Sequence, residues 1–333
     1  MVNVGIVGYG YWGPNLVRNF SETSNARVVS VCDLSPERLA QVKQRYPGIQ
    51  TTLSSSELIE NPKIDAIVIA TPVATHFDLA LKALQAGKHV LVEKPIAGTL
   101  HEAQRLVEEA QRLKKVLMVD HTFIYTGAVR KIKQLVEENR LGKLFYYDSV
   151  RVNLGLFQHD VSVLWDLAVH DLAIMDYILG ARPTRVSATG SAHLKNHQIN
   201  IAYLTCFFDD GLIAHFHVNW LAPAKIRRTL IGGDRQMIVY DDLEPDEKIR
   251  IYDKGADVPS VNARINYRIG DMWAPQLDRK EALATEVSHF IDCIVNSRIP
   301  ITDGEAGCRV VRILEAASKS LDQDGAPVNL SWE

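Results

Sequence analysis

Short apolar runs and longer amphipathic stretches alternate over the first 120 residues of the chain. The runs are rich in Val and Ile and stop at glycine or at a polar residue, which is typical of strands buried on both faces of a parallel sheet. They read VNVGIVG, ARVVSVCD, DAIVIAT, KHVLVEK and KVLMVDH. The stretches between them include PERLAQVKQRY, HFDLALKALQAG and EAQRLVEEAQRLKK, with apolar residues at helical spacing. This alternation predicts an α/β fold with a doubly wound parallel sheet.

The second half of the chain has a different pattern. Its strand-like segments alternate polar and apolar residues and are separated by tight-turn residues, as in an antiparallel or mixed sheet. They read RVSATGS, INIAYLTCFF, LIAHFHVNW, IRRTLIGG and QMIVYDD. Amphipathic helices are predicted at residues 282–296 and 306–321. We therefore predict an N-terminal domain over residues 1–125 and an α+β domain over residues 126–333, whose last segment can pack back on the first domain.

Length, charge and cysteine usage limit the class of protein. A chain of 333 residues with 47% hydrophobic residues exceeds one typical domain. A formal net charge of −3 without a long basic run makes nucleic acid an unexpected partner. Four scattered cysteines show no zinc-ligand spacing, so no metal is expected. The absence of a secretion signal and of an apolar run of about 18 residues predicts a cytoplasmic protein that is not inserted in a membrane.

A glycine-rich segment, GYGYWG, follows the first predicted strand. In G-x-G-x-x-G the first glycine permits a tight turn, the second lets a pyrophosphate approach the backbone, and the third lets helix and strand pack closely. The glycines alone also fit an ordinary turn, but Asp33 follows Gly13 by twenty residues, at the end of the second strand. A carboxylate there can bind an adenosine ribose. Because no arginine directly follows Asp33, and Arg38 lies a helical turn further on, NAD is favoured over NADP.

Further polar residues follow the other predicted strands. Ligands bind beyond the carboxyl ends of parallel strands, so these residues are expected to converge on one crevice. His76, at the start of a helix, is either a cap or packing residue or a ligand contact, and His121 is expected to face the same crevice. The predicted cofactor-binding residues are Gly8, Gly10, Tyr11, Trp12, Gly13, Asp33, Thr71, Pro72, His76, Glu93 and Lys94.

Two segments carry residues suited to proton transfer. Lys94, in EKP, follows an apolar strand and can place a fixed ammonium in the crevice, although an isolated lysine is more often a surface residue. In WDLAVHDL, a helix would put Asp166 one turn before His170 on the same face, where a carboxylate can orient an imidazole base. The alternative is a capped core helix with a satisfied histidine.

These motifs together resemble the glucose-fructose oxidoreductase / inositol dehydrogenase family, Gfo/Idh/MocA, over nearly the whole chain. The resemblance implies an N-terminal NAD(P) Rossmann domain and a C-terminal domain whose large open sheet forms a homodimer or homotetramer interface. It implies that Lys94 holds and polarises a substrate hydroxyl, that His170 takes its proton while hydride leaves the same carbon, and that Asp166 orients His170. The implied substrate-binding residues are Lys94, His121, Asp166 and His170. The chain departs from many relatives at Val73 and in DHTFIYTGAVR, which lacks an arginine soon after the sixth strand.

The strings WDLAVHDL and DMWAPQLDRKEAL resemble the branch of the family that acts on nucleotide-linked sugars in surface-polysaccharide pathways. That resemblance implies oxidation at C3 of a UDP-linked N-acetylglucosamine or its uronic acid. A diphosphate would need cations, for which the candidates are Arg151, Arg227, Arg228, Arg264 and Arg268. The alternatives are a dehydrogenase of free inositol or another polyol, a glycosidase that oxidises C3 transiently with retained NAD, and a sensor without catalysis. Intact Lys94, Asp166 and His170 argue against the sensor.

Overall fold

A computed structural model describes residues 1–155, 161–194, 198–257 and 265–332. The chain divides into two compact units. Unit 1 comprises Met1–Tyr125 and Lys280–Val311, and unit 2 comprises Thr126–Arg279 and Arg312–Glu333. The functional roles predicted for the two domains stay predictions. Within the described ranges, no helix is both long enough and apolar enough to cross a membrane.

Unit 1 is built on a six-stranded parallel sheet with the strand order β3-β2-β1-β4-β5-β6. Strand order reverses between β1 and β4, which is the position where open α/β sheets bind ligands. Four of the strands are buried almost throughout, which explains why they read as near-continuous apolar runs in the sequence. The predicted doubly wound Rossmann sheet is confirmed. Its strands are β1 (Val2–Val7), β2 (Ala26–Cys32), β3 (Gln50–Thr52), β4 (Ala66–Ile69), β5 (His89–Glu93) and β6 (Leu117–Asp120).

Helices cover this sheet and begin where side-chain caps are available. Ser35, Ser54 and Thr99 each accept the backbone N–H three residues later, so three helices begin directly after them. The α-helices of unit 1, numbered along the whole chain, are α1 (Gly13–Glu22), α2 (Pro36–Arg45), α3 (Ser55–Glu60), α4 (His76–Gln85), α5 (Leu100–Leu113) and α8 (Ala282–Asn296). Short 3₁₀ turns lie at Val73–Thr75 and Thr122–Tyr125. The three-residue β3 and six-residue α3 were not predicted, because such short elements show no periodicity.

Unit 2 contains a nine-stranded sheet with the order β14-β13-β12-β11-β7-β10-β9-β8-β15. All neighbours are antiparallel except β7 and β10, so the predicted open mixed sheet is confirmed. In β9 and β10 every second residue is buried, which is the alternation seen in the sequence. The strands are β7 (Leu144–Leu154), β8 (Arg185–Ser191), β9 (Ile201–Phe207), β10 (Ile213–Asn219), β11 (Leu221–Gly233), β12 (Met237–Asp241), β13 (Ile249–Asp257), β14 (Asn266–Trp273) and β15 (Val328–Asn329).

The helices of unit 2 include the segment that carries Asp166 and His170. The helices that lie wholly in unit 2 are α6 (Gly127–Glu137) and α7 (Val169–Leu179). A further helix, α9 (Gly304–Leu321), crosses the sequence boundary between the units. Leu164–Ala168, directly before α7, is a π-helical turn in which the N–H of Val169 bonds to the carbonyl of Leu164. The helix predicted for WDLAVHDL is therefore confirmed, but the regular α-helical spacing assumed for it is wrong in its first turn. A π-turn inside a helix often marks a functional site.

Candidate active site

The loop between β1 and α1 has the shape that a pyrophosphate requires. Gly8 has φ +102°, and a Cβ there would lie 2.3 Å from the carbonyl oxygen of Ala70. A Cβ on Gly13 would lie 2.4 Å from the carbonyl oxygen of Gly8, so helix and strand pack as closely as the motif predicts. Above Gly10 the space is open, with the nearest atom, Arg38 Nη1, 3.8 Å from a Cβ placed there. No side chain caps α1, so the positive end of its dipole faces the loop, although Pro14 has no N–H and the N–H of Asn15 already bonds to the carbonyl of Trp12.

Asp33 lies directly beyond β2 and is only 7% exposed. Its carboxylate accepts the backbone N–H of Tyr9 at 2.7 Å and that of Ser35 at 2.8 Å, which holds it beside the Gly-rich loop. The guanidinium of Arg38 reaches to 3.5 Å of both carboxylate oxygens. Arg38, a helical turn after Asp33 in the sequence, therefore places a cation beside this carboxylate. These residues fit a dinucleotide, and the position of Arg38 weakens the charge argument against a 2′-phosphate.

His76, the first residue of α4, connects two loops at the same edge of the sheet. Its Nδ1 lies 2.8 Å from the carbonyl oxygen of Pro95, and its Nε2 lies 2.8 Å from that of Thr71. Thr71 and Pro72 follow β4, and Pro95 belongs to EKP after β5. The side chain is buried, so His76 acts here as a packing residue that joins the two loops. Its contact with a cofactor stays a prediction.

The ends of β5 and β6 bring Glu93 and Asp120 side by side, since the two residues are partners in the parallel register. The Asp120 carboxylate accepts the indole N–H of Trp12 at 3.0 Å and the hydroxyl of Thr122. Burial, and then the Asp120 charge, raise the pKa of Glu93 well above its usual value. Lys94 follows Glu93 and is partly exposed, and its role in the crevice stays a prediction.

His121 follows Asp120 and is 2% exposed. Neither of its ring nitrogens has a hydrogen-bond partner among the described residues. Burial lowers the pKa of the imidazole to about 4, with the Lys94 charge acting in the same direction and Asp120 opposing it. The ring is therefore neutral at physiological pH and has one donor and one acceptor available for a ligand. Its predicted contact with substrate stays a prediction.

The structure adds an acidic residue that the sequence analysis missed. Glu286 of α8 is fully buried, and its pKa is raised well above the usual value, first by burial and then by Asp120 and Glu93. It lies on the apolar face of α8, among Leu283, Val287 and Phe290. A carboxyl group at an apolar position of an amphipathic helix was the available signal. Within the described part of the chain no group of His, Cys, Asp and Glu is arranged to hold a metal ion.

Unit 2 carries the other predicted catalytic residues. Asp166 lies in the π-turn, and its carboxylate accepts the indole N–H of Trp220 at 3.1 Å. Trp220 is fully buried between β10 and β11, so the donor is fixed in place. His170 is the second residue of α7, and both His170 and Asp166 are partly exposed. A carboxylate and an imidazole are thus presented on a rigid turn, a combination that can move a proton.

The residue after His170 belongs to a buried ion pair. Asp171 accepts two hydrogen bonds from Arg151 of β7, at 2.9 Å from Nε and 2.8 Å from Nη2, and both side chains are 4% exposed. This bidentate pair ties the start of α7 to the sheet. Arg151 is therefore not a diphosphate ligand as the sequence suggested, because its guanidinium is buried against Asp171.

Three of the other four candidate arginines have carboxylate partners as well. Arg227 pairs with Asp242 at 3.1 Å, Arg228 with Asp241 at 2.8 Å, and Arg268 with Asp253 at 3.1 Å. Arg264 lies outside the described residues. None of these contacts points to a phosphate site, and no cation is assigned to a diphosphate.

Two family models match the chain over most of its length. The Gfo/Idh/MocA oxidoreductase family with an NAD-binding Rossmann fold matches residues 2–121, and the Gfo/Idh/MocA C-terminal domain matches residues 129–239. The chain belongs to the Gfo/Idh/MocA family. The resemblance drawn from GYGYWG, EKP and D-x-x-x-H is confirmed, as is the predicted class, a nicotinamide-dependent oxidoreductase.

Relatives of this Gfo/Idh/MocA chain act on different compounds. UDP-N-acetylglucosamine 3-dehydrogenase from Acidithiobacillus ferrooxidans is 28% identical over 319 residues, covering 93% of this chain and 94% of that protein. A structure of that enzyme superimposes with a TM-score of 0.81 at 26% identity, covering 97% and 98% of the two chains. The scyllo-inositol 2-dehydrogenase (NAD⁺) of Bacillus subtilis is 26% identical over 346 aligned positions, covering 99% and 95%. Similarity at this level establishes the family and leaves the substrate open.

Proposed function

We propose that the protein oxidises a secondary hydroxyl of a sugar to a ketone with NAD, at C3 of a UDP-linked N-acetylhexosamine or its uronic acid. The observation that carries this proposal is the Asp166 carboxylate, held by a buried indole one turn before His170. Similarity to UDP-N-acetylglucosamine 3-dehydrogenase over most of both chains supports the substrate class.

In the proposed reaction each residue has one role at the reacting carbon. His170 takes the proton of the substrate hydroxyl as general base, since an imidazole titrates near neutral pH. Asp166 orients the ring of His170 and stabilises its protonated form. Lys94 donates a hydrogen bond to the same hydroxyl oxygen and stabilises the negative charge that develops on it. Bound NAD would accept the hydride from that carbon.

The cofactor proposal rests on the loop and carboxylate of unit 1. The open space above Gly10 and the positive end of the α1 dipole would hold the pyrophosphate, and Asp33 would accept hydrogen bonds from the adenosine ribose. We propose NAD rather than NADP, because Asp33 occupies the ribose position and would repel a 2′-phosphate. Arg38, close to Asp33, reduces this discrimination, so NADP is expected to bind more weakly than NAD but measurably.

A second candidate substrate is a free polyol such as inositol. Two inositol dehydrogenases match nearly the whole chain, the Bacillus subtilis protein at 26% identity and a myo-inositol 2-dehydrogenase from Thermotoga maritima at 24%. The same Lys94, Asp166 and His170 would serve this reaction. Arg227, Arg228 and Arg268 of unit 2 are paired with carboxylates and offer no diphosphate site, and this favours a substrate without a diphosphate, such as a free polyol.

The proposed assembly is a homodimer or homotetramer formed through the nine-stranded sheet. On one face of its central strands, the apolar side chains of Tyr203 and Ile213 are more than two-fifths exposed. Exposed apolar patches of this kind commonly mark protein interfaces. Sedimentation velocity would test the proposal, and a monomer at micromolar concentration would contradict it.

The proposed activity is tested by following absorbance at 340 nm with NAD and a panel of substrates. The panel contains UDP- and dTDP-linked hexoses, inositol and glucose, each with and without 2-oxoglutarate. His170→Ala is the inactive comparison, and His101→Ala, an exposed histidine of α5, is the matched control. An increase in absorbance with a nucleotide sugar, and with no other member of the panel, supports the proposal. Loss of that increase when 2-oxoglutarate is added would indicate that bound NADH is reoxidised in place.

Other outcomes of this assay select between the alternatives. Turnover of inositol without any nucleotide sugar would replace the proposed substrate by a free polyol. Release of p-nitrophenol from an aryl glycoside without net NADH would indicate transient oxidation followed by elimination. Wild-type turnover by His170→Ala with the true substrate would remove His170 from the mechanism.

A further inference from the structure

Three carboxyl groups meet beyond the ends of β5 and β6 in unit 1. Glu93 and Asp120 are partners in the strand register, and Glu286 of α8 interacts with both. Asp120 is buried and Glu286 has no exposed surface. The proposed mechanism uses neither Asp120 nor Glu286, so their position has another cause.

The hydrogen bonds around these groups indicate which of them is ionised. Asp120 accepts from two donors, Trp12 and Thr122, as a carboxylate does. By hydrogen-bond geometry neither oxygen of Glu286 has a partner among the described residues, although the Thr122 hydroxyl, which donates to Asp120, also interacts with Glu286 and opposes the rise of its pKa. A proton on Glu286, shared with Asp120, satisfies both groups, since two buried ionised carboxylates in contact repel strongly. Burial and the neighbouring Asp120, which raise the pKa of Glu286, agree with this. Glu93 faces Asp120 from β5, and burial and Asp120 raise its pKa as well.

Asp120 is also the residue that holds the Gly-rich loop. Trp12 is the N-cap of α1 and stands directly before Gly13, the last glycine of the motif. Its indole N–H bond to Asp120 joins this loop to the end of β6, 108 residues away in the chain. Without a third donor at Glu286, Asp120 would keep only Trp12 and Thr122 as donors, and its hold on the indole, and so on the loop, would be weaker.

We infer that Glu286 is a positioning residue for NAD: it donates a hydrogen bond to Asp120, keeps Asp120 turned towards Trp12, and so holds the Gly-rich loop in its dinucleotide-binding shape. This inference rests on the proposed cofactor site and is independent of the sugar substrate. Glu286 acts through Asp120 and Trp12 and does not itself touch the cofactor.

The test is the affinity of the purified full chain for NADH, measured by isothermal titration calorimetry without substrate. Trp12→Phe keeps the ring and removes the N–H donor, and we expect the dissociation constant to rise by roughly 5- to 20-fold, as for loss of a hydrogen bond to a charged group. Glu286→Leu should raise it by a similar factor. Glu286→Gln, which still donates to Asp120, should stay within about twofold of wild type. Glu305→Leu, at an exposed carboxylate of α9, is the control.

The double variant Trp12→Phe/Glu286→Leu decides whether Glu286 acts through the indole. If it does, the double variant binds NADH about as weakly as Trp12→Phe alone, because the second change removes nothing further. Three results would each overturn the inference. The first is a double variant whose dissociation constant rises by the product of the two single effects. The others are an unchanged affinity in Glu286→Leu, and a Glu286→Gln variant that binds NADH as weakly as Glu286→Leu. A wild-type chain that binds no NADH would instead contradict the cofactor site on which the inference rests.

Discussion

His121 is expected to make the stability of unit 1 fall with decreasing pH. Its pKa is lowered by burial to about 4, whereas an unfolded histidine titrates near 6.5. Below about pH 6.5 the unfolded chain therefore binds a proton that the folded protein does not, and folding becomes less favourable. The stabilisation is fully present above the unfolded pKa and is lost between about pH 6.5 and 4.

The perturbation that isolates this effect is His121→Leu, which keeps a similar volume and removes both ring nitrogens. From the two pKa values, the His121 contribution should amount to roughly 2 kcal/mol at pH 5 and about 3 kcal/mol at pH 4. At pH 7 the variant should already be about 1 kcal/mol more stable than wild type, because the nitrogens it removes are buried without partners.

The assay is guanidinium unfolding of the wild type and the variant at pH 7.5, 6 and 5. All other titratable groups are shared, so the pH dependence of the difference in unfolding free energy belongs to His121. His89→Leu is the matched control. The pKa of His89 is also lowered to about 4, mainly by burial, but its Nδ1 accepts the N–H of Val116 at 3.0 Å, so its loss should destabilise the protein at pH 7.5. A His121 difference that stays constant between pH 7.5 and 5 would refute the reasoning.

Three further outcomes are expected. His170→Ala should lower kcat by roughly 10²- to 10⁴-fold and leave NADH affinity within about twofold, so a parallel loss of cofactor binding in calorimetry would contradict a role as base. Asp33→Ala should weaken the binding of NAD and reduce the preference for NAD over NADP. Unchanged kcat/KM for both cofactors would contradict the proposed contact between Asp33 and the ribose. Arg151→Met should destabilise unit 2 by about 3–5 kcal/mol in denaturant unfolding by leaving Asp171 buried and unpaired, and Arg151→Met/Asp171→Leu should restore most of it; a double variant no more stable than the single one would show that the pair is not the cause.

Local pattern was sufficient for the fold class of both units, although β7, β13 and β14 of unit 2 were not predicted from it. Buried parallel strands of unit 1 are apolar on both faces and therefore read as short continuous runs, while the sheet of unit 2 alternates because its two faces differ in burial. The motif GYGYWG could also be recognised from the sequence. The positive φ of Gly8, which favours glycine, is a property of the local backbone and leaves a direct mark in the sequence. Lys94, Asp166 and His170 were singled out from the short strings EKP and WDLAVHDL, and their roles came from the resemblance to the family.

Hydrogen-bonded pairs of residues that are far apart in the sequence could not be predicted from local pattern. Trp12 and Asp120 are 108 residues apart, and Trp220 and Asp166 are 54 apart, and no period in the sequence pairs them. The approach of Arg38 to Asp33, which alters the cofactor argument, depends on a rotamer and on the start of α2.

What the sequence by itself determined is the class of fold, the order of most strands and helices, and the motifs placed at strand ends, since each follows from which neighbouring residues are buried. Only the tertiary structure decided which carboxyl groups lie together, which arginines are already paired, and that Glu286 of α8 interacts with Asp120. The physical reason is that protonation and hydrogen bonding depend on distance and burial in three dimensions, and distant parts of the chain supply both.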